Sequence, residues 1–162
     1  MHKVEKAAVL YESLHKNIGY LCATFADIET RLSEILVLLI NEDNPAIGEI
    51  VVESLPFSKA IDLLRRLVFE YIDMDEDDAR EFTGLIDRLR EVAKGRNDVV
   101  HSRWYLPDAD SSNFIKEGAR RKREKTANNE DMLLIKVVEL CERADSVSNE
   151  VDDFKTSMWG WI

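Results

Sequence analysis

AAVLYESLHKNIGYLCATFADIETRLSEILVLL, residues 7–39, places apolar side chains at Tyr11, Leu14, Ile18, Leu21, Phe25, Ile28, Leu32, Ile35 and Leu39. The steps alternate between three and four, which returns to one face of an α-helix and never to one face of a strand. Glu5, Lys6, Glu12, Lys16, Asp27, Glu29, Arg31 and Glu34 fall mostly off that stripe. The pattern predicts either one long helix or two helices broken near Gly19. A seam this regular suits a helical bundle or a dimer interface.

Downstream, Asn41-Glu42-Asp43-Asn44-Pro45 stops the helix, and a short helix is expected around Ile47 to Glu53. Leu55-Pro56-Phe57-Ser58 is the next boundary, with Ser58 read as an N-cap. Ile61, Leu64, Leu67, Val68 and Tyr71 then share a face. The acidic run Asp73 to Asp78 sits where a helix dipole favours negative charge. It opens a third main helix with Phe82, Leu85, Ile86, Leu89, Val92 and Ala93 inward and a pattern that reaches Val99 and Val100. Periodicity fails from Ser102 to Asn128, an irregular insert or short hairpin whose strand-like part is Arg103 to Leu106. A last helix opens at Asn128-Asn129-Glu130-Asp131 and carries Leu134, Val137, Cys141, Ala144, Val151, Phe154 and Met158. The expectation is one all-α domain over residues 1–162, a four- to five-helix bundle with a basic insert at 102–128.

The totals narrow the function classes. The chain has 162 residues, 45% of them hydrophobic, enough for one buried core. Its net charge of −10 repels phosphate backbones on average, so any RNA or DNA site must be a local basic patch. No apolar run reaches the roughly 18 residues a bilayer crossing needs, and nothing near Met1 reads as a leader; a cytoplasmic, membrane-free protein is expected. Cys22 and Cys141 stand far apart among apolar residues and read as reduced core cysteines rather than a disulfide or metal pair.

No metalloprotease, phosphate-loop or serine-hydrolase motif is present, and no metal or cofactor is expected. His2 and His15 read as surface residues. The segment Arg96-Asn97-Asp98-Val99-Val100-His101 differs, because the apolar face of the third helix, followed forward, arrives at Arg96. Asn97 and His101 are four apart and share a face if the helix persists, with Trp104 one turn later. An imidazole titrates near neutral pH and can move a proton to or from a ribose or phosphate oxygen. A guanidinium grips a phosphate and steadies the added charge of its transition state. Such a set suits phosphodiester cleavage in RNA without metal, with a second copy of the histidine supplied by a symmetric dimer.

Arg96, Asn97 and His101 resemble the hallmark of the HEPN domains, an arginine, usually followed by a polar residue, and a histidine after a gap of four to six; here the gap is four. The likeness is sharp over Lys94 to Trp104 and loose over the rest of the layout. It implies a helical-bundle homodimer with the motifs facing each other across the interface. It further implies a metal-independent endoribonuclease of toxin or phage-defence type, with Arg96, Asn97 and His101 catalytic and RNA as substrate. An antitoxin or other regulatory protein would be its partner. One branch of that family carries a tyrosine two residues beyond the histidine; Arg103 stands there in this chain and Tyr105 two later, which speaks against regulation by tyrosine modification. The basic segment Lys116 to Lys125, with Arg120, Arg121, Lys122 and Arg123, is expected together with Arg103 to bind RNA, unless it is a solvated loop. The rival reading is a non-catalytic module that binds protein or RNA, with Arg96 paired to Glu29, Asp27 or Glu34. The terminal Trp159-Gly160-Trp161-Ile162 reads as a docked end or a subunit contact.

Overall fold

The stripe from Tyr11 to Leu39 folds as one unbroken helix, α1 (His2–Ile40), in the computed structural model, which describes residues 2–106, 114–117 and 130–158. Gly19 does not interrupt it; a Cβ built there would meet nothing within 4 Å. The helix holds because the side chains flanking that glycine, Leu14, Leu21 and Phe25, are all buried, and tertiary packing outweighs the local preference of a single residue.

Asn41 closes the first turn, its side-chain oxygen accepting the Asn44 N–H at 3.0 Å, and Pro45 sits at the first position of α2 (Pro45–Glu53), where a missing N–H costs nothing. α3 (Phe57–Tyr71) starts two residues earlier than a Ser58 cap requires: Pro56 occupies the N-cap and no side chain caps the helix. Proline favours that place because its fixed φ and extended ψ lead into the first turn. Ala60, Ile61, Leu64 and Val68 are buried, whereas Tyr71 is 69% exposed. The chain leaves the helix at Ile72 in an extended conformation, and it is Ile72 that turns inward.

α4 (Glu76–Val100) opens on Asp75, whose carboxylate accepts the N–H groups of Asp77 and Asp78 at 2.9 Å each. It buries Phe82, Leu85, Ile86, Leu89, Val92 and Val99. The insert forms a two-stranded antiparallel ribbon, β1 (Arg103–Tyr105) with β2 (Ile115–Glu117), in the register Trp104 opposite Lys116. α5 (Glu130–Met158) completes the bundle; the expected cap residues Asn128 and Asn129, and the terminal Trp159 to Ile162, lie outside the described residues. The fold is the all-α bundle expected, with five helices among the described residues. None of these is long and apolar enough to cross a membrane.

α1 packs against α2, α3, α4 and α5. A polar ladder fixes its register on α5. Tyr20 donates to Asp145 at 2.9 Å and Thr24 to the same carboxylate at 3.2 Å. Arg31 donates to the Ser148 carbonyl at 2.8 Å and hydroxyl at 2.7 Å, and Lys155 reaches Glu34 at 2.7 Å. Numbers rise together on both helices, so α1 and α5 run parallel. Arg88 on Glu150 at 2.8 Å, and Gly95 against Leu140, rise on one helix and fall on the other, so α4 is antiparallel to α5. α2 crosses α1 at Gly48, where a Cβ would stand 2.7 Å from the Val37 carbonyl oxygen.

Two expectations follow. Gly19→Ala should raise stability by about 0.5–1 kcal/mol, since the methyl group meets no neighbour and the unfolded chain loses freedom, while Gly48→Ala should lower it by driving α2 off α1. Urea midpoints of the two variants check this, and equal shifts in one direction would refute the assigned packing. The hydrogen bond from Tyr20 to Asp145, and the charge of that carboxylate, raise the Tyr20 phenol above the ordinary tyrosine value. A raised folded pKa gives stability that is present below about pH 10 and lost as pH rises further. Wild type and Tyr20→Phe should therefore converge in stability through the alkaline range, as read by denaturation at several pH values.

Candidate functional site

The apolar face of α4 delivers Arg96 to α1. Its guanidinium lies over the Phe25 ring at 4.7 Å from the centroid, and its Nη1 donates to the Asn97 side-chain oxygen at 2.8 Å. Arg96 lines a groove of about 460 Å³ between α1, α4 and the start of α3, whose walls include Phe25, Glu29, Phe57, Ser58, Lys94 and Asn97. Glu29 shares that groove, Glu34 is taken by Lys155, and Asp27 is exposed. Among the described residues, none of the three carboxylates named for a buried ion pair meets the guanidinium. Its Nε is buried and has no acceptor.

The balance of these contacts decides what Arg96 does for the fold. An orphaned buried N–H costs about 1–3 kcal/mol. A cation–π contact returns about 0.5–1 kcal/mol where water reaches it and about 2 where it does not. The two nearly cancel, so packing of the side-chain stem is what remains to favour the folded state.

Asn97 joins the two ends of the motif. Its side chain accepts from Arg96, while its backbone carbonyl accepts the His101 N–H at 3.0 Å. His101 is the C-cap of α4 (φ −91, ψ 5), and its side chain is exposed. Among the described residues the imidazole makes no hydrogen bond and does not meet Arg96. Five positions on an α-helix separate two side chains by about 140° and about 7.5 Å. The guanidinium therefore faces Phe25 while the imidazole stands at the helix end. The helix stops at Val100, so Trp104 does not stack one turn further on α4. It sits in β1, half-buried, and its indole N–H donates to the Val99 carbonyl at 3.0 Å.

The insert is anchored beside this motif. Phe114 is 1% exposed and meets Tyr11 edge-on at 5.1 Å and Trp104 at 6.5 Å. The Leu106 N–H donates to the Tyr11 hydroxyl at 3.0 Å. Lys116, first residue of the basic segment, forms an ion pair with Asp98 inside the motif. Arg103 is exposed and lies over the Tyr105 ring at 5.9 Å. Arg120, Arg121, Lys122 and Arg123 lie outside the described residues. His15 is exposed, as expected. Burial raises the Cys141 thiol above its ordinary pKa, and both cysteines are free. No group of His, Cys, Asp or Glu among the described residues could hold a metal ion.

Sequence reading did not single out Phe25, Phe57, Ser58 or Phe114 for this end of the bundle. Phe25 belongs to α1 and Phe57 and Ser58 to α3, and nothing local marks them as neighbours of Arg96. The bulky side chains of Trp104-Tyr105 and Phe114-Ile115 on either side of the turn are a signal that a strand search of the insert offers. Comparison of the chain with protein-family models, curated proteins and solved structures returns no match.

Arg96→Met keeps the stem and removes the orphaned N–H. It should leave stability within about 1 kcal/mol of wild type. Urea denaturation measures this, and a loss well beyond 2 kcal/mol would show that the guanidinium is a structural group.

Proposed function

We propose that the chain is a HEPN-like, metal-independent endoribonuclease that works as a homodimer, a toxin or phage-defence effector. His101 moves the protons, and Arg96 and Asn97 hold the phosphate. The observation that carries this reading is a guanidinium kept in an open groove, with no carboxylate on it among the described residues, in a chain of net charge −10. A cation that contributes little to stability and is spared a counter-ion suits an anionic ligand. Support also comes from His101, exposed at the end of the same helix, and from Lys116, which brings the start of the basic segment to Asp98.

In the reaction the ribose 2′-oxygen bonds to phosphorus as the bond from phosphorus to the 5′-oxygen breaks, leaving a 2′,3′-cyclic phosphate and a 5′-hydroxyl. One imidazole takes the 2′-hydroxyl proton and an imidazolium returns a proton to the departing oxygen. Arg96 neutralises the equatorial oxygens, where charge grows in the transition state. A single His101 cannot hold both protonation states at once, and a two-fold copy supplies the other. RNA is the substrate, and a regulatory protein of antitoxin type would act by covering this end of α4.

A second reading has an observation of its own. The 140° offset between Arg96 and His101 leaves them unjoined within one chain, which favours a module that binds RNA without cutting it. Incubation of RNA with the protein and a chelator separates the two. Cyclic-phosphate ends that appear with wild type and fall by about a hundredfold or more in His101→Ala and Arg96→Ala support the nuclease. RNA that stays intact under every condition leaves the binding module, and cleavage that needs a divalent ion rejects the metal-independent mechanism.

A further inference from the structure

The groove that holds Arg96 has features that cleavage chemistry does not use. α3 enters it by its N-terminus, where the N–H groups of Phe57 and Ser58 have no acceptor among the described residues and no side chain caps the helix. Lys94 lines the same groove, is exposed, and forms no ion pair with a described residue. The Arg96 fork has Nη1 on Asn97 and its buried Nε without an acceptor. A phosphate in the groove therefore meets the Arg96 fork at Nη2, since the buried Nε is closed to it. Beside these cations stands the half-buried Phe57 ring, 4.6 Å from the Phe25 centroid.

The charge on the lining favours an anion. Arg90, Lys94 and Arg96 face Glu29 and Asp62, three cations to two carboxylates. Asp62 is already engaged by Arg90 at 3.1 Å and by Lys59 at 3.7 Å. Glu29 comes from α1, whereas Lys94 and Arg96 come from α4. A volume of about 460 Å³ falls in the range of sites that hold one small organic ligand. Backbone N–H groups at a helix start, an ammonium and a guanidinium together recognise a phosphate, and an aromatic ring beside them recognises a base.

We infer that this groove is a nucleotide subsite for single-stranded RNA next to the scissile phosphate that Arg96 holds, in which the neighbouring phosphodiester lies against Lys94 and the uncapped start of α3 and its base against the Phe57 ring. The inference rests on the reading of Arg96 as a phosphate ligand. It adds a flanking nucleotide held away from His101, so that strand binding and cleavage use partly different residues. Recognition requires an unpaired strand, because a base inside a duplex cannot reach the ring.

The test uses the full chain and a fluorescent RNA hexamer methylated at every 2′-oxygen, which binds and cannot be cut. Anisotropy titrations at several salt concentrations give affinity and its salt slope. Lys94→Ala should lower the slope by about one, and Ser58→Asp should weaken binding about tenfold, since it sets a carboxylate where the phosphate lies. Aspartate in a first helical turn is compatible with the helix dipole, and unchanged circular dichroism melting verifies that the fold is kept. Phe57→Leu should cost about fivefold or more through lost stacking. Affinity and slope unaltered in Lys94→Ala and Ser58→Asp overturn the subsite. Displacement of the probe by polyglutamate as readily as by unlabelled RNA overturns it too, because the groove would then be a plain anion or acidic-peptide site. The same variants tested on unmodified RNA keep this inference separate from the nuclease reading. Weakened hexamer binding by a protein that never cuts RNA retains the subsite and removes the nuclease, while cleavage lost in His101→Ala with hexamer binding indifferent to Lys94 and Ser58 does the reverse.

Discussion

One constraint organises this molecule: a single apolar stripe runs along α1, a helix of 39 residues and so about 58 Å long, and all of it must be covered. No one helix of ordinary length can do that. α5 lies parallel along the stripe from Asn17 to Glu34, α2 crosses near Val37, and α3 and α4 pack on the remaining sides. The apolar contacts are not directional, so register comes from the polar ladder. Thr24 on Asp145 and Arg31 on Ser148 admit one sliding position of α5 on α1, and a shift of one turn would strand both buried hydroxyls.

The candidate site is a by-product of that covering. Where α4 approaches α1 from the opposite direction, its apolar face is interrupted by Arg96 between Val92 and Val99, and the residue of the stripe waiting there is Phe25. An aromatic ring takes a guanidinium without asking for a counter-charge, so the arginine is held in place while its cationic edge stays uncommitted. The same approach brings the uncapped start of α3 to the groove, since Phe57 packs on Phe25. Among the described residues, donors without acceptors from α3 and α4 thus come together in a groove beside α1.

The insert is better ordered near the motif than its composition suggests. Loss of helical period from Ser102 onward is real, because β1 and β2 are strands, and strands of three residues leave almost no alternation to read. Phe114 is what ties them down, and one aromatic in a polar stretch is indistinguishable by sequence from a surface residue. Ser58 shows the same limit on a smaller scale. Serine suits an N-cap in general, but the preceding proline already has the backbone angles of that position.

Helix content, the turns at Asn41 to Pro45 and Asp73 to Asp75, and the inward faces of α3, α4 and α5 were determined by the sequence itself. Periodicity, capping and breaking are properties of neighbours along the chain. So was the choice of Arg96, Asn97 and His101 as the residues of interest, since residue type and spacing carry that signal. Tertiary structure alone decided that α1 runs through Gly19 without a break, that Arg96 rests on an aromatic ring instead of a carboxylate, and that the imidazole stands apart from the guanidinium. Each depends on groups tens of residues away in sequence, whose approach is set by how long helices slide and cross, and no local pattern encodes the outcome of that packing.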